Sequence, residues 1–292
     1  MKRAMHRDYF REIIKSRNRF FSITLIILIG VSFFAGIKAT GPDMKRTSAE
    51  YYKTQNLMDI KVVSSYGINQ NDLKCIQQIE GVKTVMPSYT VDALETKEQD
   101  VVKVLSVPED EEQSVNRLRI IEGRLPQSEG EAVIDERGKN ADGYQVGDTI
   151  TLEGENGDDI SLKHSEYKIV GIANSPQYIT IDRGSSTVGD GVATFFLAVP
   201  EQEFTQNVYT EAYVTLQNDI QEIYSEEYTS LIKQKRSEIE EALGARKGER
   251  LEEAKAEGLQ EIKDGWTKLD DAQRQLDDAK QQLDDALAKL TS

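Results

Sequence analysis

The pattern of hydrophobic and polar positions divides the chain into a membrane segment, an alternating middle and a heptad tail. From Phe20 to Ile37 the sequence FFSITLIILIGVSFFAGI is apolar on every side and carries no charge. At the helical rise it spans roughly 27 Å, one hydrocarbon core, which predicts a transmembrane helix over residues 20–38. Ahead of it, Met5, Tyr9 and Ile13 recur every four residues with Phe10 and Ile14 beside them, while Arg and Lys fill the other faces. Residues 1–19 therefore read as an amphipathic helix lying on the inner leaflet. A basic flank without a defined fold is the alternative.

From Asp59 the spacing becomes that of strands. DIKVVSS (59–65) is β-branched and alternating, NQNDLKCIQQI (69–79) has helical spacing at Leu73, Ile76 and Ile79, and VKTVMPSY (82–89) returns to strand. This predicts a β-α-β unit. Its helix has Asn69 as N-cap with Asp72 at the third helical position, a hydrophobic staple between Ile68 and Leu73, and Gly81 as terminator. Further strands are expected at 101–107, 131–135, 148–154, 167–173, 194–199 and 211–216, with Gly, Pro and Asp between them. The fold class is α+β with a mainly antiparallel or mixed sheet.

Past Asn218 the chain turns helical and repetitive. LDDAQRQ, LDDAKQQ and LDDALAK are consecutive heptads, with Leu269, Leu276, Leu283 and Leu290 at a and Ala272, Ala279 and Ala286 at d. This is a coiled-coil seam, and the small d residues favour close approach of an antiparallel partner. That partner is expected from a continuation beyond Ser292, so that the segment 218–292 is a truncated part of a longer coiled coil. Upstream, Leu251, Ala254 and Ile262 read as out of phase, and Gly244, Gly248, Gly258 and Gly265 predict a bent or loose stretch.

Charge fixes the orientation. Residues 1–19 hold seven basic and two acidic side chains, a net +5 that should stay in the cytoplasm. The whole chain carries −15, which leaves −20 on residues 20–292 and disfavours nucleic acid as a partner. A cleaved signal peptide is the other reading of the N-terminus. It sits poorly with an apolar block this long and with Ile37 at the −3 position of a cut after Ala39.

Candidate chemistry is sparse. Cys75 is the one cysteine, which excludes an internal disulfide, and it reads as a small core side chain. His6 and His164 are the only histidines and fall on opposite sides of the predicted membrane, so no His-based triad or zinc site assembles within the chain. The acid pairs Asp270/Asp271, Asp277/Asp278 and Asp284/Asp285 diverge by about 100° on a helix and read as a solvated face rather than a calcium site. Gly184, Gly189 and Gly191 mark a surface hairpin or mobile loop without the ending of a phosphate-binding loop. Tyr66, Tyr89 and Tyr178 are either ordinary half-buried sheet tyrosines or a recognition surface. No enzyme activity and no cofactor are expected.

The β-α-β unit with GVKTVMPSY, then EGRLP (122–126), EAVID (131–135), YQVGDTITL (144–152) and YKIVGIA (167–173), resemble in order and spacing the extracytoplasmic core domain of the FtsX-like permease family, of which the MacB-type exporters are a branch. SPQYITIDRGSSTVGDGVATFF (175–196), followed by a long acidic helix, is similar to the large Gram-positive permeases with a coiled-coil insertion. The resemblance implies a porter-like βαβ part with a small β-rich inserted subdomain near 118–170, within an extracytoplasmic MacB-like domain over 39–217. It also implies the N-terminal part of an ABC transporter permease in the bacterial plasma membrane, coupling a cytoplasmic ABC ATPase subunit to export, lipid-linked substrate extraction or mechanical signalling. Its partners would be that ATPase, the remaining membrane helices of the permease, and an extracytoplasmic protein or lipid-linked substrate. Gly30, Ser32, Ala35 and Gly36, small residues in the outer half of the membrane helix, would pack on those helices. A single-span adhesin or sensor with a coiled-coil stalk is the competing reading.

Overall fold

The computed structural model describes residues 9, 11, 13–108, 114–157, 160–217 and 223–291, with side chains for all of these except 141, 261 and 282–291. The amphipathic helix expected over 1–19 lies largely outside the described residues. Helix α1 (Arg17–Thr54) contains the apolar block and has no buried residue. It is the one described helix long and apolar enough to cross a membrane. The helix does not stop at Lys38. It continues through Gly41 and Pro42 to Thr54, so the segment assigned to the start of the globular domain is an extension of the membrane helix.

The chain next forms β1 (Ile60–Ile68), α2 (Gln70–Gln77) and β2 (Val82–Ser88). The expected cap is present: Asn69 accepts from the Asn71 and Asp72 amides, and Asp72 accepts from the Asn69 amide. Ile68 and Leu73 pack in one cluster with Ala212, as a staple requires. Gly81 is not the helix terminator. α2 ends at Gln77 with Gln78 as its cap, and Gly81, at φ +81°, serves the turn into β2.

The excursion that follows comprises β3 (Thr90–Glu95), β4 (Val101–Val107), β5 (Arg119–Gly123), β6 (Glu131–Asp135), α3 (Glu136–Asp142), β7 (Thr149–Glu153), β8 (Glu166–Asn174) and β9 (Phe195–Pro200). These strands make one mixed sheet in the order β5-β8-β6-β9-β4-β3-β7, and β7 also pairs with β8. Six strands thereby close into a barrel, which leaves no free edge among them. β8 serves two partners on one side, β7 through Glu166–Lys168 and β5 through Gly171–Asn174. The barrel interior is filled by Val102, Val104, Ile134, Ile150, Tyr167, Ile169, Phe195 and Leu197. This body is wider than the inserted subdomain expected near 118–170, because β9 pairs with β6, β4 with β9 and β3 with β4, all in the same sheet. The glycine stretch is a hairpin closed by a bridge between Ser185 and Val192, held to the barrel by the buried Arg183–Asp135 pair at 2.6 Å.

The chain returns through β10 (Tyr209–Leu216), which inserts between β1 and β2 antiparallel to both. Helix α4 (Glu226–Ala245) then lays Leu231, Ile232, Ile239 and Leu243 on this sheet beside Ile76 and Ile79. The segment 218–292 is therefore not coiled coil throughout, since the apolar face of α4 belongs to the sheet's core.

A turn at Arg246 leads into α5 (Lys247–Thr291), unbroken over its length. The bend expected across four glycines is confined to the stretch between Gly244 and Gly248. Counting heptads back along an unbroken helix puts Ile262 in phase with Leu269, and Gly265 and Gly258 in phase with Ala272. The a and d lines thus begin farther upstream than expected.

Candidate functional site

Two polar junctions tie the helices to the three-stranded sheet, one where the chain leaves α1 and one where it enters α5. At the first, Asn56 and Asn116 both adopt left-handed backbone, at φ 49° and 59°, a conformation that Asn tolerates better than most residues. One bond joins them directly. The Asn116 amide donates to the Asn56 carbonyl at 2.9 Å, and the Met58 amide donates to Asn116 Oδ1 at 2.9 Å. Asn56 Nδ2 donates to the Ser114 carbonyl at 2.9 Å, and the Arg117 amide to the Gln55 carbonyl at 2.8 Å. The end of α1 is thereby stitched to the segment leading into β5.

Asp59, at the head of β1, joins three elements. Its Oδ2 accepts from the Leu216 amide at 2.6 Å at the end of β10, and its Oδ1 accepts from the Tyr228 hydroxyl in the first turn of α4. Burial, reinforced by that carboxylate, pushes the Tyr228 hydroxyl above the ordinary phenol range. The tyrosine therefore remains a donor at any physiological pH. Nearby, Ser48 and Tyr224 lie 2.9 Å apart through their hydroxyls, and Lys45 sits over the Tyr224 ring, so α1 also touches the segment entering α4.

At the second junction the N-terminus of α2 meets the start of α5. Asp72, while capping Asn69 through Oδ2, accepts from Arg246 Nε at 3.0 Å through Oδ1, and Arg250 Nε lies 3.6 Å from Oδ2. Glu253 accepts from Asn69 at 2.7 Å and from Asn71 at 3.2 Å, and pairs with Arg246 at 3.2 Å. These bonds, that of Asn69 first, hold its carboxyl below the usual carboxylate range. Arg250 also donates to the Tyr66 carbonyl at 2.9 Å and pairs with Glu257 at 3.2 Å. Arg246 and Arg250 lie one helical turn apart, as do Glu253 and Glu257, so a single face of α5 is clamped to the sheet.

The residues singled out from the sequence fall elsewhere. Gly30, Ser32, Ala35 and Gly36 are exposed on α1, with open space around both glycines. Leu269, Ala272, Leu276 and Ala279 are exposed along α5, Leu269 and Leu276 being 63% and 51% accessible. Leu283, Ala286 and Leu290 continue the same helix, with side chains outside the described residues. Tyr89 packs between Phe204 and Tyr209, and Tyr178 stacks on Phe196, so both are core-edge tyrosines. Tyr66 is exposed, and Cys75 is half-buried on α2. His164 Nδ1 lies 2.9 Å from the buried Glu203, which also accepts from Tyr167 and from the Gly130 amide. The acid pair Asp270/Asp271 faces Arg274 on the exposed side of α5.

Residues 20–257 match the family model described as MacB-like periplasmic core domain. No curated protein matches the chain. Among solved structures, the extracellular domain of the ABC-type transporter YknZ from Gram-positive bacteria shares 14% identity, covering 63% of this chain and 87% of that one, with a TM-score of 0.38. The periplasmic region of MacB from Actinobacillus actinomycetemcomitans shares 12% identity, covering 63% and 76% respectively, with a TM-score of 0.36.

Proposed function

This chain belongs to the MacB-like periplasmic core domain family, and on that premise we propose that it is the N-terminal part of an ABC transporter permease, transmitting motion between the membrane and an extracytoplasmic stalk. It is a membrane protein with an extracytoplasmic domain. The finer reading is that residues 1–19 are cytoplasmic, that a separate cytoplasmic ABC ATPase drives the movement, and that the chain performs no covalent chemistry of its own. The remaining membrane helices of the permease would pack on Gly30, Ser32, Ala35 and Gly36. The a and d line of α5 would pair with an antiparallel helix to form the stalk as a coiled coil.

The observation that carries this reading is the continuity of hydrogen bonds from α1 to α5. A helix of 38 residues is a stiff lever; its end is bonded through Gln55 and Asn56 to Arg117 and Asn116, and Asp59, just past it at the head of β1, is bonded to both β10 and α4. The same sheet is bonded through Asp72 to Arg246 at the root of α5. Displacement of α1 along or about its axis therefore reaches the stalk through packed, hydrogen-bonded elements. Export, lipid-linked substrate extraction and activation of a surface partner are all outputs such a lever can drive.

The test uses the complete protein with its cognate ATPase and a single cysteine replacing Thr267 on α5. Labelling of that cysteine should change between hydrolysing and hydrolysis-deficient ATPase, and Asp59→Asn should blunt the change. Identical labelling with both ATPases, or a complete gene encoding no further hydrophobic span, overturns the reading and favours a single-span stalked adhesin.

A further inference from the structure

Where α1 passes the barrel, an open pocket of about 460 Å³ separates Tyr51 from the start of β5, the end of β8 and α3. That volume is within the range of small-molecule sites. Its wall carries two guanidinium groups with spare donors. Arg119, exposed at the start of β5, makes no ion pair among the described residues. Its charge acts on the Tyr51 hydroxyl, which burial keeps protonated and able to donate. Arg137 gives its amide to Asp135 Oδ1 and its Nη1 to the Ile181 carbonyl, which leaves Nε and Nη2 uncommitted. Beneath them the buried Arg183 is already committed to Asp135 at 2.6 Å and lies over the Tyr178 ring.

The part of the chain beyond residue 19 carries −20, so a wall where Arg119 and Arg137 face the carboxylate of Glu136 is out of character with it. That carboxylate is engaged by Asn174 Nδ2, which donates to it at 2.9 Å. Beside the arginines, Ile179 and Ile181 are 55% and 77% exposed, an apolar ledge on the segment between β8 and the glycine hairpin. The donors stand on three elements, Arg119 on β5, Arg137 and Asn140 on α3, and Tyr51 on α1. Such a set suits a tetrahedral oxyanion, whose oxygens diverge, better than a planar carboxylate, which one guanidinium fork takes whole.

We propose that this pocket binds a dissolved amphiphilic phosphate, its phosphoryl oxygens on Arg119, Arg137 and Tyr51 and its apolar body on Ile179 and Ile181. The ligand comes from water rather than from the leaflet. Tyr51 stands 14 residues beyond Ile37, about 21 Å along α1 from the hydrocarbon edge, and still about 16 Å above it at a tilt of about 40°. The headgroup layer is only about 5–8 Å deep, so a phosphate in the bilayer falls short. Binding stands on the pocket alone. Its consequence rests on the permease reading: with Tyr51 on α1 and the other donors on the barrel, an occupied pocket ties the lever to the barrel.

Calorimetry on the chain in phosphatidylcholine nanodiscs, read against empty discs with phenyl phosphate as the probe, tests this. One site with a dissociation constant of about 0.1 mM is expected. Inorganic phosphate and benzoate should each bind about tenfold more weakly, and phenyl glucoside not at all. Arg119→Gln and Arg137→Gln should each weaken phenyl phosphate about tenfold. Glu136→Gln removes the opposing charge while keeping an oxygen for Asn174, and should tighten binding about threefold, a gain that damage to the fold does not produce. Absent binding, a comparison compound as tight as phenyl phosphate, or affinity untouched by these substitutions overturns the proposal. With Ile181→p-benzoylphenylalanine, irradiation in the same discs should label no lipid, and a lipid adduct overturns the aqueous route. Failure of the permease reading is distinct, because it would leave these affinities unchanged and appear only as a stalk whose labelling ignores the ATPase.

Discussion

Arg246 Nε donates to Asp72 Oδ1 at 3.0 Å across a separation of 174 residues, and this bond fixes the angle at which α5 leaves the domain. Asp72 has two duties, since its other oxygen caps the Asn69 amide at 3.1 Å. It is largely buried, with its side chain 8% exposed and that of Arg246 17% exposed. A cap alone is worth about 1 kcal/mol. The ion pair adds rigidity at the one place where the helical path bends, which is where a lever loses stiffness first.

Asp72→Ala should therefore cost about 1–3 kcal/mol, the lost cap plus the loss of one partner each by Arg246 and Arg250, which keep Glu253 and Glu257. Asp72→Asn should keep most of the cap and lose the ion pair. Denaturant unfolding separates the two variants. In the complete protein, Asp72→Asn should weaken the ATPase-linked change in stalk labelling more than it weakens folding, and equal losses would argue against a role in transmission.

Two carboxyls give opposite pH signatures. Arg124 holds Glu131 in a two-pronged pair at 2.6 and 2.7 Å, and with the Gln127 amide it brings the carboxyl down from its ordinary value near 4.5 to about 2. The folded state binds this proton less readily than the unfolded state. The stabilisation is thus present above pH 4.5 and is lost as pH falls through about 2. Arg124→Ala should return the Glu131 midpoint toward 4.5 in a carboxyl NMR titration.

Asp142 runs the other way. Burial, and then the neighbouring charge of Asp100, raise it to about 6, and its Oδ2 is buried without a partner. The folded state here holds the proton more tightly, so stability declines as pH rises from near 4 to about 6. Asp142→Asn should remove that decline and stabilise the chain at pH 7. Thermal unfolding at pH 4 and pH 7 checks it, and a destabilised variant at pH 7 would contradict the assignment.

Gly123 and Gly171 are paired across β5 and β8, and each is pressed against backbone. A Cβ on Gly123 would meet the Val170 carbonyl oxygen at 2.2 Å, and one on Gly171 would meet that of Arg124 at 2.3 Å. Gly123 also sits at φ +75°. Either alanine substitution should cost about 2 kcal/mol or more through overpacking, with left-handed strain added at Gly123. Ala at Gly130, where nothing lies within 4 Å of the added carbon, should cost less despite its own positive φ. The comparison of unfolding midpoints isolates the crowding.

What could be read from the sequence was local. The Asn69/Asp72 cap, the Ile68/Leu73 staple and most strand positions depend on neighbours a few residues apart, and they stand where the spacing puts them. β3 and β5 were not legible, because TVDALE and RIIEG are short and interrupt their alternation with charge. Barrel closure depends on β7 meeting β8 as well as β3, a pairing choice that no periodicity encodes. The junctions were missed for the same reason: Asp59, Asn116, Arg246 and Glu253 look like ordinary surface polar residues until their distant partners arrive. The one available hint was the repeat of Arg246/Arg250 and Glu253/Glu257 at helical spacing beside Gly244 and Gly248.

The size of the d residues on α5 leads to the last prediction. Gly258, Gly265, Ala272 and Ala279 recur every seventh position on an unbroken helix, against Ile262, Leu269 and Leu276 at a. Such a line sets a short distance to any helix packed on it, because nothing larger than a methyl group stands between the backbones. Ala279→Leu adds apolar surface worth about 2 kcal/mol if it could be buried well, yet it should disturb the native pairing in the complete protein, since the partner must move outward. Asp277→Asn, on the outer face, should change little. Cysteine pairs placed at the a and d positions of α5 and of the downstream helix measure the outcome. A single antiparallel intramolecular register that Ala279→Leu shifts or abolishes is expected, whereas intermolecular links between equivalent positions would mean a parallel dimer and would remove the reason for the small d line to be a hairpin contact.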